Sequence, residues 1–314
     1  MPLHTCLASR HVLSPASAPS LDFNGSRDYW SPQVCSPALA PFPKLVFDSP
    51  GFGLSRTGPG PDGRPRPWSF DLCAAAFLAA FDQAPELAGL NAVVMGDSMG
   101  GGPVGLRIGM AGHARVVGVV ACATSAEEES ADIVALYERD AAQFAARCLE
   151  AGDSGDVEDL VDDFAGNMAA AGYTDLDLLP YSECRAYGHE TIYDSLRVSL
   201  ALDGADGGLV LDGRYAGDAM LTNYKVLNHR PSLLPVLRQR PSPLGRVQVL
   251  VVAGTKDNAY PFERGYHARA VDAVGDANAE LLVVEGGCHF VTASHADLLH
   301  ERMIDWLRRK VLAA

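Results

Sequence analysis

The stretch VVMGDSMGGG, residues 93–102, sets a carboxylate and a hydroxyl side by side at Asp97 and Ser98. Either could attack an electrophile once activated. The apolar run NAVVM reads as a strand that turns at once into a helix, and a nucleophile on so sharp a turn needs small residues two places before and after it. For Ser98 those neighbours are Gly96 and Gly100; for Asp97 they are the bulky Met95 and Met99. Spacing selects Ser98 and leaves Asp97 as a flanking residue. In the helix that follows, Gly101, Gly105 and Gly109 form a bare stripe that allows close approach to a sheet. Pro103 falls in the first turn, where a missing N–H breaks no helical bond. The positive end of this helix points at Ser98 and favours negative charge developing there.

A serine hydroxyl needs a base to take its proton and a carboxylate to orient that base. Of nine histidines, His289 closes ELLVVEGGCH, where a strand runs into a Gly-Gly turn. His267 and His300 fall within helical stretches, His295 at a helix start and His113 just after the helix behind Ser98, so these four read as structural or surface groups. Asp257 ends VLVVAGTKD, another strand followed by a glycine turn. The chain order is nucleophile, acid, base: Ser98, Asp257, His289.

Placing three such residues together requires a framework of strands whose ends share one edge. Short apolar runs at 20–24, 44–48, 92–95, 116–121, 247–253 and 281–285 alternate with helical patterns at 70–83, 100–110, 262–274 and 295–311. That is the pattern of a parallel sheet flanked by helices, an α/β fold. The alternation stops after residue 121 and resumes at 246. The interval holds helix-like segments, an aromatic stretch and a glycine-rich turn, and it reads as an inserted, mostly helical cap. The expected organisation is a first core part over 1–126, a cap over 127–224 and a second core part over 225–314. Tyrosines 173, 181, 187, 193, 215 and 224 are candidates either for lining a pocket or for packing within the cap.

The net charge of −14 is concentrated: residues 127–225 carry 22 Asp or Glu against 6 Lys or Arg. Such a surface repels polyphosphate, so nucleic acid is not an expected partner. No apolar run approaches the roughly 20 residues of a membrane span. The N-terminal stretch lacks the apolar core of a signal peptide and reads as part of the fold. Seven cysteines without regular spacing suggest neither a disulfide framework nor a zinc site, and they fit a reducing cytoplasm. No metal-ligand spacing, HExxH or nucleotide-binding glycine loop occurs, so no metal or cofactor is expected. The expected partner is a small-molecule substrate, and self-association is left open.

Five motifs, FNGSRDYW, FDSPGFGLS, GDSMGG, GTKD and GGCHF, resemble those of the α/β-hydrolase superfamily, over nearly the whole chain except the cap. The resemblance implies an α/β-hydrolase fold with Ser98 as nucleophile, Asp257 as acid and His289 as base. It implies an oxyanion hole made by the backbone N–H groups of Ser26 and Met99, with Asn24 where the family usually has His. FDSPGFGLS matches a structural turn of the family, and Cys288 stands where Gly is more common.

The activity so implied is hydrolysis of a carboxylic ester, lactone or thioester of a small hydrophobic substrate through an acyl-enzyme on Ser98. Carbon–carbon bond hydrolysis of a ring-opened aromatic dienoate or diketone is the alternative, since GDSMGG and the His289-Phe290 pair also resemble those enzymes. It would call on an arginine for the substrate carboxylate, with Arg139, Arg147, Arg185, Arg197 and Arg214 of the cap as candidates. An acyltransferase or a non-catalytic small-molecule receptor on the same fold are further alternatives. Epoxide hydrolase and dehalogenase chemistry needs Asp at position 98.

Overall fold

The computed structural model describes residues 11–15, 27–46, 48–50, 52, 55, 59–152, 154–172 and 184–312. Its strands are β1 (His11–Pro15), β2 (Asn91–Asp97), β3 (Val116–Cys122), β4 (Leu202–Asp203), β5 (Leu209–Val210), β6 (Gln248–Gly254) and β7 (Ala279–Val284). Five of them form one sheet in the order β1-β2-β3-β6-β7, every pair parallel, while β4 and β5 make a separate antiparallel hairpin. The central strands bury almost every residue. Covered on both faces, they read as continuous Val, Ala and Leu runs rather than as an alternation.

The register fixes where chemistry can sit. Asp97 at the end of β2 pairs with Cys122, Cys122 pairs with Val252, and Gly254 pairs with Val284. The carboxyl ends of four adjacent strands therefore share one edge, the usual place for a site in an open parallel sheet.

The strand expected at 20–24 lies outside the described residues. At 44–48 the described positions 44–46 and 48 form no strand. Lys44 there turns back on its own loop, its Nζ donating to the carbonyls of Leu39 and Phe42 at 2.9 and 3.3 Å. β1 is an addition, paired with β2 from His11↔Asn91 to Pro15↔Met95. Its sequence, HVLSP, is too short and polar to stand out, and the proline suits the end of a strand at the described edge of the sheet.

The helices flanking the sheet are α1 (Phe70–Gln83), capped by Ser69 Oγ accepting from the Leu72 N–H at 3.1 Å, and α2 (Leu106–Met110), which continues a π-helical turn over Gly100–Gly105. A side chain at Gly105 or Gly109 would meet Val119 of β3, and one at Gly101 would overlap the Ala121–Cys122 backbone. The glycine stripe thus faces the sheet, as its spacing predicts. On the other side of β3, Trp306 covers Gly118, and it is among the largest fully buried side chains.

Between β3 and β6 the chain makes α3 (Ala131–Ala151), α4 (Ser154–Gly172), α5 (Cys184–Leu200), the β4–β5 hairpin and α6 (Gly213–Asn228). This is the inserted helical segment, and its last helix runs past 224 to Asn228. Ala141, Phe144 and Cys148 give α3 one apolar face at helical spacing. α6 lies close against it because Gly217 and Gly213 leave room for Ala145 and for the Cys148 carbonyl. Two further helices of the core are α7 (Tyr266–Val274) and α8 (Ala296–Trp306), beside short helical turns such as Ser31–Val34 and Leu234–Leu237. Among the described residues no helix is long and apolar enough to cross a membrane.

Candidate active site

β2 ends at Asp97, and Ser98 follows with φ 48°, one of two non-glycine residues at positive φ among those described. A serine in that region carries strain of about 1–2 kcal/mol. The turn is tight enough that a Cβ at Gly96 would overlap the Gly100 backbone and one at Gly102 would overlap Thr124 and Ser125. The N–H of Gly102 donates to Thr124 Oγ1 at 2.9 Å, fastening the start of the helix to the end of β3. Met99 adopts helical angles directly after Ser98. Its N–H thus belongs to the first turn, where helical N–H groups have no carbonyl of their own helix.

The other two loops come from the neighbouring strand ends. After β7 the chain turns through Gly286, at φ 75°, and Gly287, which lies against Gly254 at the end of β6. His289 emerges from that turn and Asp257 from the one after β6. His289 Nδ1 is 3.0 Å from Asp257 Oδ1, and His289 Nε2 is 3.2 Å from Ser98 Oγ. A carboxylate only accepts, so the proton sits on Nδ1 and Nε2 offers its lone pair to the Ser98 hydroxyl.

Asp257 Oδ1 also accepts from the N–H groups of Ala259 and Tyr260 at 2.8 and 2.9 Å. Burial pushes this carboxyl up, but attraction to His289, the hydrogen bond from it and the Tyr260 N–H together hold it below its ordinary value. The group remains an anion, able to stabilise an imidazolium.

The remaining histidines take other places. His267 and His300 are buried without hydrogen-bond partners, and burial lowers both to about 4, so they are neutral packing groups. His113 pairs with Asp82 at the surface, and His295 Nδ1 meets Ser294 Oγ at 2.9 Å. Cys288 is a buried thiol against Ser294 Oγ at 3.4 Å. Ser26 and Asn24 lie outside the described residues, as do Tyr173 and Tyr181 and the side chains of Tyr187 and Arg185. Tyr224 packs on Tyr137 with ring centroids 5.4 Å apart, and Tyr193 donates to Glu158 at 2.9 Å. Arg139, Arg147 and Arg197 pair with Asp140, Asp163 and Glu158, and Arg214 is exposed.

Spacing gives no role to a second buried cluster at the base of the helical insertion. Arg230, with its side chain 1% exposed, pairs with Glu129 at 6%, and the Tyr260 hydroxyl donates to the same Glu129 oxygen at 2.8 Å. Arg230 also reaches the Glu127 carbonyl at 3.0 Å. The entry and exit of the insertion are thereby clamped together. Tyr260 packs its ring on His289, centroids 5.8 Å apart. Its place three residues after the acid was the one available signal. Among the described residues no group of His, Cys, Asp and Glu could hold a metal ion.

No protein-family model matches the chain, and no curated protein matches it. Solved structures do. The enol-lactonase from Burkholderia xenovorans LB400 aligns with a TM-score of 0.66 at 18% identity, over 96% of this chain and 92% of that one. MenH from S. aureus gives 0.65 at 14%, over 96% and 94%. A thermophilic esterase from Thermogutta terrifontis gives 0.62 at 19%, over 96% and 91%. With the parallel sheet, the strained elbow after β2 and the two loops that meet it, these likenesses identify the architecture: the chain has the α/β-hydrolase fold, with a helical segment inserted after β3.

Proposed function

We propose that the chain is a serine hydrolase that cleaves a carboxylic ester, lactone or thioester of a small hydrophobic substrate. The observation that carries this reading is the contact of Ser98 Oγ with His289 Nε2 at 3.2 Å, backed by Asp257 at 3.0 Å on the far ring nitrogen. Ser98 Oγ attacks the carbonyl carbon while Nε2 takes its proton, and the Asp257 carboxylate stabilises the imidazolium so formed. The carbonyl oxygen becomes an oxyanion that accepts from the Met99 N–H, with the Ser26 N–H as the second donor. Loss of one such donor typically slows a reaction by about a hundredfold to a thousandfold.

The carbon–oxygen or carbon–sulfur bond then breaks, and Nε2–H protonates the departing group. Water, deprotonated by the same nitrogen, attacks the acyl carbon and frees Ser98 and a carboxylic acid. An enol-lactonase, a thermophilic esterase and carboxylesterases are among the solved neighbours, in line with this class. Carbon–carbon hydrolysis of a carboxylate substrate has less support from the described cap arginines: Arg139, Arg147 and Arg197 are paired with acids, Arg214 is exposed, and the buried Arg230 is neutralised by Glu129.

The test uses p-nitrophenyl esters of graded acyl length and a fluorophosphonate probe. Wild type should hydrolyse short esters and gain one phosphonyl group on Ser98, and Ser98→Ala should do neither while melting at the same temperature. Full turnover in Ser98→Ala, or a wild type that neither turns over esters nor takes the label, overturns the reading.

A further inference from the structure

Asp97, the flanking residue of the elbow, is fully buried and lies at the centre of a hydrogen-bonded cluster. Its Oδ1 accepts from the N–H of Ser98 at 2.9 Å. Its Oδ2 accepts from Tyr29 Oη at 2.8 Å and from Thr292 Oγ1 at 2.5 Å, and those two hydroxyls stand 2.7 Å apart. Gln33 Nε2 donates to the Thr292 carbonyl at 2.5 Å. Tyr29, Gln33 and Thr292 are each more than nine-tenths buried.

Tyr29, Asp97 and Thr292 come from three segments remote in the chain: a short helical turn at 27–30, the end of β2 and the helical turn after His289. Asp97 precedes the nucleophile, and Thr292 is the second residue of a helical turn (Val291–Ser294) just after the base His289. Tyr29 follows shortly after Ser26, the expected oxyanion donor. Phe290, between His289 and Thr292, also packs edge-on against Tyr29 with centroids 5.6 Å apart. A charged carboxylate in a dry interior is tolerated only with its lone pairs satisfied, and three donors do so here.

We infer that Asp97, with Tyr29 and Thr292, is a positioning group for the reaction: it holds the strained Ser98 peptide and the His289 loop at the separation that lets the proton move. This rests on the serine-hydrolase reading. Ser98 at φ 48° has no local preference for its conformation, and the Asp97 oxygen on its own N–H holds that peptide plane. The other oxygen ties the same residue to the histidine loop. A shift of about 1 Å between nucleophile and base is enough to cost a large factor in rate. None of the three touches the reacting atoms, so their loss should appear in the chemical step and not in substrate binding.

The experiment compares Thr292→Val, Thr292→Ser and Tyr29→Phe with wild type, after thermal melts establish folding. It measures kcat and KM on p-nitrophenyl acetate and the rate of fluorophosphonate labelling of Ser98. Thr292→Val and Tyr29→Phe should each lower kcat by about tenfold, the effect of one hydrogen bond to a charged group, and slow labelling by a similar factor. KM should stay within about twofold, and Thr292→Ser, which keeps the hydroxyl, should recover most of the loss.

Folded Thr292→Val and Tyr29→Phe with wild-type kcat and labelling overturn the inference, as does a loss confined to KM. If Thr292→Val does not fold, Tyr29→Phe, which removes a single oxygen, decides alone. A wild type that is not labelled at all refutes the serine mechanism instead, which separates the two failures.

Discussion

Asp257 Oδ1 accepts three hydrogen bonds at once, from His289 Nδ1 and from the N–H groups of Ala259 and Tyr260. The two backbone donors hold the carboxylate so that it presents an acceptor, and only an acceptor, to the imidazole. Asp257→Asn keeps the shape but can turn its NH₂ toward Nδ1, which moves the histidine proton to Nε2 and leaves no base for Ser98. The expected loss is about 10³–10⁴-fold in kcat with little change in melting temperature. Steady-state kinetics on p-nitrophenyl acetate check it, and near-normal kcat would mean that Asp257 does not orient the base.

Gly96 shares the elbow with Gly100 so closely that a methyl group would overlap the backbone. Gly96→Ala must push the strand end and the helix apart, destabilising the fold by about 2–4 kcal/mol. Urea denaturation should show it, and any folded fraction should take up the phosphonate slowly.

Arg230 and Glu129 neutralise each other out of water, with Tyr260 on the same carboxylate. Removing one member leaves the other charged and buried. Arg230→Met should destabilise by about 3–5 kcal/mol, whereas Arg230→Met combined with Glu129→Met should recover most of that loss. A double-mutant cycle by thermal or urea melts measures the coupling, and simple additivity would show that the pair is not energetically linked.

His267 and His300 hold no proton in the folded protein until the pH nears about 4. The unfolded chain protonates both near pH 6.5, so it binds more protons across the window between, and stability falls as pH drops through it. The expected penalty at pH 5 is about 2 kcal/mol for each histidine relative to pH 8. His300→Leu, remote from the triad, should remove one of these contributions and flatten melting temperature against pH. An unchanged slope would show that His300 is protonated in the native state.

Much of the site was legible as spacing. A sharp strand-to-helix elbow is a local steric event, so Gly96 and Gly100 around Ser98 announce it in five residues. Asp257 and His289 are likewise marked by strand-then-glycine turns, because those turns are what bring a side chain to the edge of a sheet. The glycine stripe behind Ser98 follows from the same short-range rules, whereas the cap boundary expected at 224 falls short of the last helix of the insertion, which runs to Asn228. The strand expected at 44–48 shows the limit: positions 44–46 and 48 form no strand, and Lys44 instead donates to the carbonyls of Leu39 and Phe42 in its own loop.

What the tertiary structure decided is pairing over distance. Spacing set Asp97 aside as a flanking residue and gave no sign that it would meet Tyr29 and Thr292 from distant parts of the chain. Arg230 carried no pattern at all, and its pairing with Glu129 depends on where the insertion enters and leaves the core. Local sequence fixes the backbone conformations that a turn allows, because those clashes act within a few residues. Which buried charges find partners depends on the packing of loops that are remote in the chain, and only the folded molecule brings those together.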